Sequence, residues 1–288
     1  TNTPQQERSV SFSADGRSLV YAAERNGSWN IYSTILTDPA ELHFYSATAL
    51  DEKVIIESNE DTFQPRFSPD GKEIAFLAKR TELRVIKLKT KNVRTVVSDK
   101  YNYSYSDGDQ FYDWSPDGKW FTLHFLDHGR WMDEIGLVSA KGGVVHNLSE
   151  SGYSDSNPQW TSDGSAIFFV SNRNGLRSHG SWGGQSDVYA FFPSREKWDL
   201  FNLSSEEYSE AFGEDDENEN DDKKENPEKK LEQKLPEVKV ELDGIEERLT
   251  RLTMTSSDLS DAAFDPKKAK LYTLMRFEDD VDLWVSDL

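Results

Sequence analysis

Apolar residues occur in short runs along the chain, and polar turn residues interrupt these runs at regular intervals. In segments 72–77 and 119–125, both alternating faces carry apolar or small residues, which is typical of strands covered on both sides. Segments 94–97, 144–148 and 248–252 alternate polar and apolar residues instead, as half-exposed outer strands do. The pattern predicts an all-β protein with inner and outer strands.

An aromatic residue followed by a tight-turn motif recurs five times. The copies are Phe12–Gly16, Phe67–Gly71, Trp114–Gly118, Trp160–Gly164 and the degenerate Phe264–Lys268. In the full motif, Pro pre-sets φ, Asp bonds the local backbone, and Gly takes the positive φ that closes a hairpin. The aromatic residues are 55, 47, 46 and 104 positions apart, and a period near 45 is about the length of a four-stranded propeller blade.

These repeats predict a β-propeller of four-stranded antiparallel blades. An all-β sandwich is the alternative, but five in-phase copies are hard to place in a fold without internal repetition. We expect five visible blades of a larger, six- or seven-bladed propeller, because the chain begins within a blade and ends after a third strand. The predicted domain or fragment spans 1–288, with repeats near 9–58, 59–104, 105–151, 152–193 plus 238–253, and 254–288.

Residues 194–237 form a predicted insertion in the fourth repeat. Segment 194–201 has the pattern of a Ser-capped helix, and 204–212 that of its continuation or a second turn. Segment 214–234 is almost wholly Asp, Glu, Asn and Lys, which cannot bury enough apolar surface to offset the chain entropy. We therefore expect a disordered, solvated loop there, or alternatively an acidic tether for a basic partner.

Charge and composition exclude several classes of partner. The net charge is −20, and the part between 206 and 237 holds 14 Asp and Glu against 5 Lys. Such acidity disfavours binding to nucleic acid and to anionic membrane surfaces. Membrane insertion is not predicted either, because the sequence has no run of about 18 apolar residues. Zero Cys rules out disulfides and thiolate zinc sites but suits an exported protein and a cytoplasmic one equally. No secretion signal is recognisable in the chain.

The repeats resemble the propeller of tricorn-like serine peptidases of bacteria and archaea, and more loosely TolB-type propellers. The resemblance rests on the turn motifs, on Ser171–Gly175 followed by Asp187–Tyr189, on the charged insert, and on Leu242–Leu252. The chain departs from the pattern at Ser13–Asp15 and Pro266–Lys268, and similar hairpins occur in prolyl oligopeptidase-like enzymes. The resemblance implies a non-catalytic propeller whose partners are protease domains of the same full-length chain. We expect a periplasmic or otherwise exported bacterial protein, with a cytoplasmic location as the alternative.

No motif predicts catalytic residues, metal ligands or a cofactor. The nearest approach to a nucleophile elbow, His179–Gly183, has His where the first Gly belongs. His124 and His128 are four residues apart but lack the helix that a metalloprotease site needs. Asp107–Asp109 lacks the further ligands of a calcium loop, and no glycine-rich phosphate loop is present.

Binding is therefore expected in the loops, since propellers bind at their rims and channel. Loops 127–133 and 172–185 each combine Arg with Trp, a pair that suits peptide binding through charge-assisted hydrogen bonds and aromatic contact. Both connect second and third strands and are expected on one rim, with a tyrosine-rich loop on the opposite rim. The candidate peptide- or protein-binding residues are Tyr103, Tyr105, Arg130, Trp131, Arg173, Arg177, His179 and Trp182.

Three functions are compatible with these observations. The leading hypothesis is a non-catalytic module that recognises or gates peptide substrates for a catalytic domain outside this chain. A free-standing, TolB-like scaffold for protein contacts in the bacterial envelope is the main alternative, and a propeller enzyme such as a glycosidase is the third. In a structural alternative for the loops, Trp131 and Trp182 pack between blades and the arginines pair with nearby Asp.

Overall fold

The computed structural model describes residues 4–103, 110–126, 131–177, 184–212, 235–277 and 279–288. These residues contain five antiparallel sheets, in each of which neighbouring strands follow one another along the chain. The first sheet holds β1 (Glu7–Phe12), β2 (Ser18–Arg25), β3 (Ser28–Leu36) and β4 (Leu50–Ile56). The second holds β5 (Thr62–Phe67), β6 (Glu73–Ala78), β7 (Glu82–Lys87) and β8 (Val93–Val97).

The remaining sheets repeat this order with one insertion. The third sheet holds β9 (Tyr112–Trp114), β10 (Trp120–Leu126), β11 (Asp133–Ser139) and β12 (His146–Asn147). The fourth holds β13 (Asp155–Trp160), β14 (Ile167–Ser171), β15 (Asp187–Phe191) and β16 (Leu249–Arg251). Helices α1 (Arg195–Phe201) and α2 (Ser205–Phe212) lie between β15 and β16 in the chain. The fifth has three described strands, β17 (Asp258–Asp265), β18 (Lys270–Phe277) and β19 (Asp280–Asp287).

The chain divides into two compact units, residues 1–158 and 159–288. In the first unit, Val20 and Ile31 of the first sheet pack with Ile74 and Phe76 of the second. A second cluster joins the facing sides of the second and third sheets, around Phe121 and its neighbours. The second unit has its own core between the fourth and fifth sheets. Neighbouring sheets thus bury apolar faces against each other, as the two-sided apolar pattern of the inner strands predicted.

The repeated turns owe their shape to one side-chain contact. The hydroxyl groups of Ser13, Ser68, Ser115 and Thr161 donate to the Asp Oδ1 two residues later, at 2.6, 2.7, 2.6 and 2.9 Å respectively. The following glycines have φ between 68° and 72°, a range that suits Gly best because it has no Cβ. The turn motif therefore fixes each hairpin through local bonds.

Helix α1 is attached to the fourth sheet by packing, and one buried arginine holds the chain segment that follows the insertion. Phe201 of α1 stacks on Phe192 with 4.6 Å between ring centroids, and Trp198 contacts the same ring at 5.5 Å. Arg248 is only 1% exposed, and its Nε donates to the Phe192 carbonyl at 3.0 Å. Its other nitrogens donate to backbone carbonyls of the segment before it: Glu241, Asp243 (3.2 Å) and Gly244 (3.0 Å). A single guanidinium thereby joins the end of β15 to the returning chain.

Candidate functional site

Arg173 begins the loop between β14 and β15, and it lies on an aromatic platform. Its Cζ is 4.6 Å from the ring centroid of Tyr189 and 5.7 Å from that of Phe169. Its Nε donates to Ser171 Oγ at 2.9 Å, and Asn174 Nδ2 donates to Tyr189 Oη at 2.7 Å. Cation–π contact and hydrogen bonding therefore fix the orientation of this guanidinium.

The base of this loop is held by backbone contacts, and the residues after Arg173 are exposed at the surface. Leu176 is 76% exposed and Arg177 is exposed as well. Arg177 forms a backbone bridge with Gly184, and the Gln185 amide donates to the Leu176 carbonyl at 2.8 Å. A Cβ at Gly175 would lie 1.8 Å from the Gln185 carbonyl oxygen, so the base requires glycine there. The loop thus presents an apolar and a cationic side chain next to each other.

A buried carboxylate holds the strand that follows the loop. Asp187, at the start of β15, is fully buried and accepts bonds from Arg251 Nε at 3.0 Å and Nη2 at 2.7 Å. Thr253 Oγ1 donates to the same oxygen at 2.7 Å, and Ser256 Oγ donates to the second one at 2.8 Å. Since these bonds stabilise both carboxylate oxygens, Asp187 is a structural group that anchors the loop end.

Tyr103 and Trp131 form an exposed aromatic pair in the first unit. Their ring centroids are 5.1 Å apart in a T-shaped arrangement, and the residues are 50% and 67% exposed. The expectation that the tyrosine loop lies on the opposite rim from loop 127–133 is therefore wrong. An antiparallel sheet reverses the chain at every turn, so the connection entering the first strand ends beside the loop between the second and third strands. The exposure of Trp131 also contradicts the alternative in which it packs between blades.

The described part of the chain includes four of the eight predicted binding residues. Tyr105, Arg130, His179 and Trp182 lie outside the described residues. Loop 127–133 belongs to the first unit and loop 172–185 to the second, so a rim shared by the two loops stays a prediction.

Sequence reasoning missed a polar site on the first strands of the first three sheets. Arg66 forms an ion pair with Asp113, with 3.1 Å between Nη1 and Oδ1, and its Cζ lies 5.0 Å from the Phe111 ring centroid. Gln64 has a φ of 49° where the register of β5 shifts, and it lines a cavity of about 300 Å³ together with Ser9. The bulge turns these side chains out of the strand pattern, and no sequence signal marks it.

The arrangement of the acidic and histidine side chains and the lengths of the helices bear on the class of chemistry. In the described ranges, no group of three or more His, Asp or Glu side chains is arranged to hold a metal ion. Nor does any helix within those ranges have the length and apolarity needed to cross a membrane.

Comparisons with known proteins identify relatives of the repeats. The family model described as the TolB beta propeller domain matches residues 38–179. A Sulfurisphaera tokodaii protein, named as a Tricorn-like protease C-terminal subunit, is 34% identical over 109 residues, which are 38% of this chain and 12% of that protein. The chain therefore spans only a small part of the curated relative that it matches.

Solved structures show the same fold at low sequence identity. TolB from Acinetobacter baumannii aligns with a TM-score of 0.54 and 18% identity, over 100% of this chain and 53% of that one. The tricorn protease aligns with a TM-score of 0.59 and 11% identity, over 96% of this chain and 24% of that one. With the five sheets, these similarities confirm the predicted resemblance: the chain has the β-propeller fold, residues 38–179 match the TolB beta propeller domain, and the fold is similar to those of TolB and the tricorn protease.

Proposed function

We propose that this chain is a non-catalytic propeller module that recognises or gates peptide substrates for a protease domain outside the chain. The observation that carries the proposal is the loop between β14 and β15, in which Leu176 and Arg177 are exposed and Arg173 lies over the Tyr189 ring. The similarity of part of the chain to a Tricorn-like protease subunit supports the protease context. An exported, periplasmic location belongs to the same proposal, and cell fractionation tests it.

The loop has the chemistry that an extended peptide needs. Arginine donates several hydrogen bonds in a fixed plane and forms strong bonds to carboxylates, while Leu176 offers apolar contact for a peptide side chain. The stacking of Arg173 on Tyr189 and the backbone bridge at Arg177 hold the loop base in one conformation. A preordered loop base loses less conformational entropy on binding, which favours affinity.

Peptide binding can be measured with fluorescein-labelled tryptic peptides of casein by fluorescence anisotropy. We expect Arg177→Ala to weaken binding by about one to two orders of magnitude, since a charge-assisted bond contributes about 1.5–3 kcal/mol, with the melting temperature unchanged. Arg173→Ala should lower both the affinity and the melting temperature, because its side chain packs on Tyr189. Arg195→Ala, an exposed arginine on α1, is the matched control. Unaltered affinity in both loop variants would refute the proposal.

A scaffold for protein contacts is a second candidate, favoured by the exposed pair of Tyr103 and Trp131. Aromatic residues are enriched in protein–protein interfaces. A photo-crosslinking residue in place of Trp131 would then join the chain to folded proteins of the envelope. The peptide-binding module predicts instead that the same residue in place of Arg177 becomes joined to casein peptides.

A further inference from the structure

Helices α1 and α2 enclose a cavity of about 470 Å³ against the hairpin turns of the fourth and fifth sheets. It lies beside the β13–β14 turn, at the end of the fourth sheet away from the β14–β15 loop. Its apolar lining includes Phe192, Leu200, Phe201 and Leu203. The volume is within the range of protein sites for small ligands or for a few peptide side chains.

The cationic part of the lining comes from the hairpin that departs from the repeat. Where the other four hairpins have Asp-Gly, the β17–β18 turn has Lys267 and Lys268, and both are exposed at the cavity. Asp265 Oδ1 accepts from their backbone amides at 3.1 and 3.3 Å, while Ala269 takes the positive φ of 47°. The backbone of this turn is thus held by local bonds, and the two lysine side chains are not needed to form it.

A third lysine approaches from the helix. Lys197 of α1 lines the same cavity, where Asp163 of the β13–β14 turn is its acidic neighbour. Burial raises the pKa of Asp163, but bonds from Ser165 and Thr161 and the charge of Lys197 leave it below its usual range. The lining side chains thus include three ammonium groups and one carboxylate, in a chain whose net charge is −20.

The apolar walls are firmly positioned. The Phe201 ring packs on Phe192 and lies 6.2 Å from Phe264 of β17, edge to face, so α1 is fixed to both sheets of the second unit. Ser194 Oγ caps α1 by accepting from the Lys197 amide at 3.3 Å. These contacts hold α1 and its apolar side chains in place beside the cavity.

We propose that this cavity binds acidic peptide segments in which a large apolar side chain adjoins carboxylates. The apolar side chain enters between α1 and the β17–β18 hairpin, and the carboxylates lie against Lys197, Lys267 and Lys268. Charge complementarity selects the ligand, because the lysines attract acidic segments that the rest of this acidic chain repels. The site is independent of the β14–β15 loop.

The test uses the fluorescein-labelled peptide Gly-Ser-Glu-Leu-Phe-Glu and fluorescence anisotropy at low and high salt. We expect saturable binding that weakens with salt, and about tenfold weaker binding after the double change Lys267→Glu and Lys268→Glu. The double change Lys89→Glu and Lys91→Glu, in an exposed turn of the second sheet, alters the net charge equally and should have no effect. Arg177→Ala should have none either, which separates this site from the loop.

Two further peptides test the class of ligand. Replacing Leu-Phe in the peptide by Ser-Ser should remove most of the binding, and replacing Glu by Lys should abolish it. Equal effects of the two double changes would overturn the proposal, because they would show attraction by overall charge alone. Equal binding of the Ser-Ser peptide would also overturn it, since the apolar wall would then contribute nothing. Circular dichroism of both double variants verifies that the fold is retained.

Discussion

Replacement of Arg248 by Met removes a buried guanidinium while keeping an unbranched apolar side chain in its place. Arg248 donates to the backbone carbonyls of Phe192, Glu241, Asp243 and Gly244 and is 1% exposed. A hydrogen bond from a charged donor contributes about 1.5–3 kcal/mol. The sum for four such bonds is an upper bound on the loss of stability, and it is well above the effect of most single substitutions. Asp243 is exposed, and water can hydrate its carbonyl, whereas the Phe192 carbonyl belongs to a buried residue. We therefore expect a loss of about 3–5 kcal/mol in the free energy of unfolding.

Urea unfolding followed by tryptophan fluorescence measures this loss, with Arg195→Met as the matched control. Arg195 lies on α1 and is exposed, so its replacement should change the free energy of unfolding by less than about 0.5 kcal/mol. Hydrogen exchange of α1 should accelerate in Arg248→Met and remain slow in the control. Arg248→Lys should lose most of the same stability, because an ammonium group cannot reach the separate carbonyls as the planar guanidinium does.

Equal unfolding midpoints for Arg248→Met and Arg195→Met would refute this reasoning. That result would mean that the carbonyls find other donors or water at no cost, and that packing of Phe201 on Phe192 alone holds the insertion. A large loss of stability without faster exchange in α1 would place the effect elsewhere in the fourth sheet and would also contradict the account.

Two other predictions concern the first unit. Burial and the hydrogen bond to Glu52 raise the pKa of Tyr21 to about 12. As the pH rises, the unfolded chain therefore loses this proton first, and the free energy of unfolding should fall between about pH 10 and 12. Tyr21→Phe should reduce that fall in alkaline unfolding curves. A methyl group added by Gly136→Ala would lie 2.8 Å from the Phe125 ring. We expect about 1–3 kcal/mol of destabilisation in urea unfolding from this overpacking alone, because Gly136 is not at positive φ.

The hairpins were predictable because their determinants are local. In Phe67–Gly71 the turn depends on Ser68 bonding Asp70 at 2.7 Å and on the positive φ of Gly71, and all of these residues are adjacent in sequence. The period of the aromatic residues then predicted the blades, and the five sheets confirm it. The outer strand of the third repeat is shorter than the predicted 144–148, because only His146–Asn147 pairs with β11.

The missed features depend on contacts between residues far apart in sequence. Arg248 has the appearance of an ordinary polar residue in the alternating segment 248–252, yet its partner Phe192 is separated from it by the whole insertion. The contact of Tyr103 with Trp131 likewise depends on chain direction at the edge of a sheet. The bulge at Gln64 leaves no mark in the alternation of polar and apolar residues.

One cavity is lined both by the irregular hairpin at Lys267 and Lys268 and by the insertion between β15 and β16. These two departures from the repeat pattern therefore have a common interpretation. A turn that only had to close β17 onto β18 would keep Gly, which adopts positive φ more readily than Ala269 does. The side chains of the two exposed lysines do not stabilise the hairpin, since Asp265 bonds only their backbone amides. They do add positive charge beside the apolar wall that α1 supplies. The regular turns of a repeat fold serve its architecture. A binding site is therefore best sought where one repeat departs from the pattern and an insertion lies against it.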